Sequence, residues 1–181
     1  MKIFLSPHND DESLFGCYTI LREKPLVVIV TDSYIEQERG DKATTEQRIE
    51  ESKKACKLMG VEVEFLHIPD KSLNPDNLAQ ALIQLKDKYN PDLVYAPAIE
   101  IDGNNQHNLI GSMASQLFNT VHYMTYTLHT TKSIGTEIII PTEEEKKIKA
   151  ECLKCYPSQL VIPTTAPFFE NKQVLDFESY A

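Results

Sequence analysis

The chain has 181 residues, 27 acidic against 18 basic, a formal charge of −9 and 41% hydrophobic residues. That length fits one core within the usual range of about 100–200 residues, large enough to fold without disulfides or a structural metal. The composition excludes wholesale disorder and collagen-like repeats, and an acidic balance without a dense Lys/Arg cluster argues against nucleic acid or anionic lipid as a partner.

Lys2 to Ser6 and Pro25 to Asp32 are apolar runs, the second rich in β-branched residues, as in strands buried on both faces. Between them Leu14, Cys17, Tyr18 and Leu21 recur at helical spacing, which predicts a crossover helix over Asp10 to Glu23. A charged loop from Ser33 to Ala43 reads as a lid, a binding segment or a surface loop. Thr44 with Gln47 predicts a capped helix that stops at Gly60, followed by a strand over Val61 to Leu66. Asn74-Pro75 opens a helix that runs to Tyr89, and Asp92 to Pro97 is the next strand. A helix from about Asn108 to Asn119, strands near Tyr123 to Leu128 and Glu137 to Ile140, and a final helix from Thr142 capped by Glu145 complete the series.

This alternation predicts an α/β fold: a Rossmann-like, doubly wound, mostly parallel sheet with helices on both faces, in a single domain over residues 1–181. No apolar run approaches the ~20 residues that span a bilayer, and Met1 to Ser6 is too short for a signal-peptide core. Four cysteines at 17, 56, 152 and 155 form no dense framework. The expectation is a cytoplasmic protein with no membrane partner, its oligomeric state open.

The chemistry concentrates in Ser6-Pro7-His8-Asn9-Asp10-Asp11-Glu12, where the first strand ends and the first helix begins. Ligands of open α/β sheets gather at the carboxyl ends of strands, beside the point where the winding reverses. His8 and Asp11 can converge on a divalent cation across a tight turn, leaving Asp10 as a carboxylate beside it. Acids there also cap a helix, but three acids and a His exceed what capping needs. Strands one and four are neighbours in the usual winding, so His107, after the fourth strand, is the expected third ligand. Two His and one carboxylate suit catalytic Zn²⁺ and equally the non-haem Fe(II) triad, so residue types leave the metal open.

These residues resemble the LmbE/PIG-L family of zinc-dependent N-deacetylases. The match runs through His8-Asn9-Asp10-Asp11-Glu12 with Gly16, then Arg48, Glu51, Ala55 and Gly60, Pro91 to Val94, His107, and Lys149 through Tyr156 to Ser158-Gln159. The resemblance implies Zn²⁺ on His8, Asp11 and His107, Asp10 as general base, and removal of an acetyl group from an N-acetylglucosamine-like sugar or conjugate. Arg48 and Asn104 are the candidate substrate contacts, although Arg48 equally fits an exposed pair with Glu51 or Glu46.

The family's later His-Pro-Asp-His motif reads Asn104-Asn105-Gln106-His107 here, so amides replace the first His and the Asp. Neither amide can carry a proton, though Asn104 can donate to an oxyanion, so Asp10 would serve as both base and acid. Two rivals stay open: a metal- or carbohydrate-binding relative without turnover, and a hydrolase of another small-metabolite amide. The CxxC of Cys152 and Cys155 and the histidines 67, 122 and 129 read as structural or surface residues.

Overall fold

The computed structural model describes residues 1–32, 43–99, 104–125 and 135–181. Its seven-stranded sheet begins with β1 (Lys2–Ser6), β2 (Leu26–Thr31), β3 (Val63–Ile68), β4 (Leu93–Pro97) and β5 (Val121–Met124). It ends with β6 (Glu137–Ile139) and β7 (Glu178–Tyr180), in the order β3-β2-β1-β4-β5-β7-β6. The first five strands are parallel, and β7 runs antiparallel to both β5 and β6. The order reverses between β1 and β4, which pair directly, so the switch point lies where the winding rule put it.

Alternating side chains divide the interior into two layers. Phe4, Val27 and Ile29 face one way, into a core with α1 (Asp11–Leu14), α2 (Cys17–Glu23), α3 (Thr45–Met59) and α6 (Glu143–Leu153). Ile3, Leu5, Val28 and Val30 face the other way, against α4 (Pro75–Tyr89) and α5 (Asn105–Leu117). Both faces of the central strands are therefore covered, which accounts for their continuous apolar runs.

Several boundaries differ from the sequence expectation. The first crossover helix is broken in two at Gly16, where an added Cβ would overlap the Phe4 ring, so the helix can approach the sheet only with glycine there. β3 starts two residues later than predicted, and α5 starts three residues earlier, which moves His107 from a preceding loop onto the first turn of the helix. Thr44 caps α3 through Gln47 N at 3.2 Å, but the Gln47 side chain turns to Glu51 and not back to the cap. α6 is not the final element: α7 (Pro157–Leu160), α8 (Ala166–Glu170) and β7 follow it. The lid-like loop, from residue 33 to 42, and the predicted strand beyond Thr125 lie outside the described residues.

β7 carries an acid inside the core. Glu178 is fully buried and accepts hydrogen bonds from the Tyr18 and Thr19 amides at 2.9 and 3.1 Å, filling the cap position that Gly16 leaves without a side chain. Lys149 Nζ, equally buried, donates to the same carboxylate at 2.9 Å and lies over the Tyr18 ring. Lys149→Met would leave that carboxylate without its cation, and we expect a loss of about 3–5 kcal/mol in unfolding stability. Urea denaturation checks this, and Lys149→Met with Glu178→Gln should recover part of the loss. All four cysteines are free, and Cys152 packs in the core, as the structural reading of the CxxC holds.

Candidate metal centre

The segment that follows β1 is held from three sides. Thr31, at the end of β2, donates from its amide and its hydroxyl to Pro7 O at 3.0 and 2.9 Å. Ser6 Oγ bonds His8 O and the Glu12 carboxylate, and Tyr156 OH donates to the other Glu12 oxygen at 2.7 Å. Burial pushes the Glu12 carboxyl up to about 7. The third acid of the motif is therefore an internal brace for the turn, bound by the hydroxyls of Ser6, Ser52 and Tyr156.

On this frame three side chains meet. His8 Nδ1 lies 3.0 Å from Asp11 Oδ2, Asp11 Oδ2 lies 3.2 Å from His107 Nε2, and the two ring nitrogens are 3.2 Å apart. A tetrahedral ion with bonds of about 2.0–2.2 Å keeps neighbouring ligand atoms roughly 3.3–3.6 Å apart, so this triangle fits such an ion after a few tenths of an ångström of expansion. Among the described residues these are the His, Cys, Asp and Glu side chains grouped closely enough to hold a metal. His8 N also donates to Asp11 Oδ2 at 3.0 Å, which fixes the carboxylate.

The electrostatics favour positive charge at the triangle. Burial alone would push the Asp11 carboxyl up, yet the two imidazoles hold it well below the usual carboxylate range. Burial opposes charging of His8, but the neighbouring Asp11 outweighs it and raises the His8 pKa. A cation between these groups would meet a carboxylate already ionised.

Asp10 stands beside the triangle without joining it. Its Oδ2 accepts from Arg48 Nη2 at 3.0 Å, and burial raises its pKa against the opposing pull of that guanidinium. Arg48 is only 2% exposed, so the surface pairing read from sequence is corrected: Arg48 lies inside, behind Asp10. The anticipated partner Glu51 is present, but it too is buried, and Ser158 binds both groups, with Oγ 2.6 Å from Glu51 Oε2 and 3.3 Å from Arg48 Nη1. The Ser158-Gln159 block near the chain's end thereby gains a role, as part of the anchor behind Asp10.

Asn104 Oδ1 caps α5 by accepting from the Gln106 and His107 amides at 2.9 and 3.4 Å, which sets the helix turn that carries His107. The Gln106 side chain reaches His8, with Oε1 2.6 Å from Nε2, and its own Nε2 donates to Asp70 O at 3.0 Å. Asp70, in a 3-10 turn after β3, has Oδ1 3.8 Å from His8 Nε2. Sequence reading missed Asp70, although an acid just past the carboxyl end of β3 obeys the same strand-end rule that found His8 and His107. His67 pairs with Asp32 at 3.0 Å and His122 packs edge-on against Tyr95, so neither belongs to the triangle. His129 lies outside the described residues.

Fold and site together define a doubly wound α/β domain with a candidate divalent-metal centre at its switch point. The chain belongs to the PIG-L family, described as GlcNAc-PI de-N-acetylase, whose model matches residues 3–118. This membership supports a metal-dependent, deacetylase-like function. No curated protein matches the chain.

Among solved structures, the A40926 pseudoaglycone deacetylase Dbv21 is similar, with 16% identity, a TM-score of 0.76, and coverage of 99% of this chain and 95% of that one. The zinc-inhibited form of the teicoplanin deacetylase Orf2 has 15% identity and a TM-score of 0.72, covering 88% and 85%. GalB, the 4-carboxy-2-hydroxymuconate hydratase of Pseudomonas putida KT2440, has 12% identity and a TM-score of 0.69, covering 99% and 95%. At these identities the likeness is one of fold, and that fold serves a hydratase as well as deacetylases, so the site and not the architecture must carry the chemistry. Among the described residues no helix is long and apolar enough to cross a membrane.

Proposed function

We propose that this chain is a zinc-dependent amidohydrolase that removes the acetyl group from an N-acetylglucosamine-like sugar or conjugate. The observation that carries this reading is the triangle of His8, Asp11 and His107 with a separate half-buried carboxylate, Asp10, alongside. A binding protein needs the triangle but has no use for the second carboxylate. The sugar class is supported by the family description, and a divalent metal by the mixed imidazole and carboxylate donors, zinc being the ion that the family resemblance implies.

Zn²⁺ held by these three residues would polarise the acetamide carbonyl and bring the pKa of a water from 15.7 to about 7. Asp10 then takes the proton of the attacking water. Its raised pKa suits a base that must hold a proton briefly, and Arg48, anchored by Glu51 and Ser158, fixes one of its oxygens while the other receives the proton. With amides at 104 and 106, Asp10 also passes that proton to the leaving nitrogen.

The buried Arg48 donates to Asp10 at 3.0 Å, which supports assigning it the positioning of that carboxylate, with contact to substrate only at the edge of the pair. Asn104 gives its oxygen to the helix cap, and its Nδ2 is the donor proposed to reach a substrate oxygen.

The test is amine release from a panel of N-acetylated amino sugars and their conjugates, with metal-stripped and zinc-reconstituted protein. Zinc-dependent release of one acetate per amine is the expected result. Stoichiometric zinc without release from any sugar or other amide overturns the hydrolase reading in favour of a binding protein.

A further inference from the structure

Gln106 contacts the nitrogen of His8 that faces away from the triangle, and it does so with a defined polarity. Its Nε2 is committed as a donor to Asp70 O at 3.0 Å, which leaves Oε1, 2.6 Å from His8 Nε2, as an acceptor. The His8 nitrogen opposite an acceptor must carry the hydrogen. A neutral imidazole has one N–H and one lone pair, so fixing the proton on Nε2 puts the lone pair on Nδ1. Nδ1 is the atom 3.0 Å from Asp11 Oδ2 and 3.2 Å from His107 Nε2. Asp70 Oδ1, 3.8 Å from Nε2, reinforces the same preference with negative charge.

The amide itself is held from two strand ends. Gln106 sits on the first turn of α5, which Asn104 caps, and the carbonyl it binds belongs to the turn after β3.

We infer that Gln106 is a positioning residue for the metal centre: it locks His8 in the Nε2–H tautomer and aims Nδ1 at the ion. This rests on the proposed reading of His8, Asp11 and His107 as ligands. The amide at this position, which cannot carry a proton in turnover, thus orients a ligand from the side the ion does not occupy. Partners of this kind typically govern metal affinity by about 10–100-fold.

Competitive zinc titration of the full-length native protein, Gln106→Leu, Gln106→Glu and His8→Ala tests the inference without recourse to activity. Gln106→Leu should bind zinc about 10–100-fold more weakly at unchanged stoichiometry. Gln106→Glu, which keeps an acceptor opposite Nε2, should restore affinity to the native level or above. Two-bond proton–nitrogen NMR correlations on histidine-labelled, zinc-loaded protein should show His8 protonated on Nε2. Native affinity in Gln106→Leu, or a His8 proton on Nδ1, overturns the inference while leaving the ligand set intact. Zinc binding absent from the native protein, or undiminished in His8→Ala, overturns the ligand reading itself.

Discussion

His107→Ala is expected to release the metal and with it all measurable deacetylation. His107 offers one of the three proposed ligand atoms and comes from the far side of the switch point, on α5, while His8 and Asp11 follow β1. Removing it leaves an imidazole and a carboxylate three residues apart on one turn, a pair that cannot enclose an ion. The loss of affinity should exceed the roughly 10–100-fold typical of outer-shell partners, because a ligand atom itself is gone. Elemental analysis after dialysis against a weak chelator gives the readout: about one zinc per native chain and far less in the variant. Equal metal in both would remove His107 from the centre. His107 is 5% exposed, so a folded-state check by circular dichroism belongs beside the metal measurement.

Asp10→Asn should have the opposite profile, with metal kept and turnover lost. The substitution is nearly isosteric and leaves the three ligands in place, but an amide cannot take a proton from water. A general base typically contributes about 10²–10⁴-fold, and a residue that serves as base and acid in one cycle should fall at the upper end. The expected result is native zinc content with kcat down by that factor and KM little changed. Full activity in Asp10→Asn would exclude it from the mechanism. The variant also takes away the carboxylate opposite Arg48 Nη2, leaving Glu51 as the anion nearest that buried guanidinium, so a modest fall in thermal midpoint should accompany the kinetic loss.

The contrast between what was legible in the sequence and what was not follows from range. His8 and Asp11 are three residues apart and announce themselves, and His107 was found because a parallel sheet fixes which strand ends are neighbours, a rule independent of side-chain detail. The sequence leaves Arg48 as either a substrate contact or an exposed partner of Glu51 or Glu46, because a helix of many charges gives no local sign of which turn faces inward. Arg48 and Glu51 make each other's burial tolerable, together with partners distant in sequence, Asp10 before them and Ser158 over a hundred residues later. Gln106 read as a loss, since the missing acid was visible and the waiting nitrogen of His8 was not. The residues after α6 escaped because their helices are one turn long and β7 carries a buried Glu in the place of an apolar residue, which breaks the pattern that marks a strand.

That buried acid ties together segments far apart in the sequence. Peeling β7 away from β5 and β6 would also strip the amides of Tyr18 and Thr19 of their acceptor and leave Lys149 without its anion. β7, next to the edge strand β6, is therefore denied the independent fraying usual for short strands near a sheet edge, and its opening is joined to that of α2. A contact spanning some 160 positions also has to close before α2 gains its cap, so that cap is completed only after a piece of chain from far along the sequence has docked.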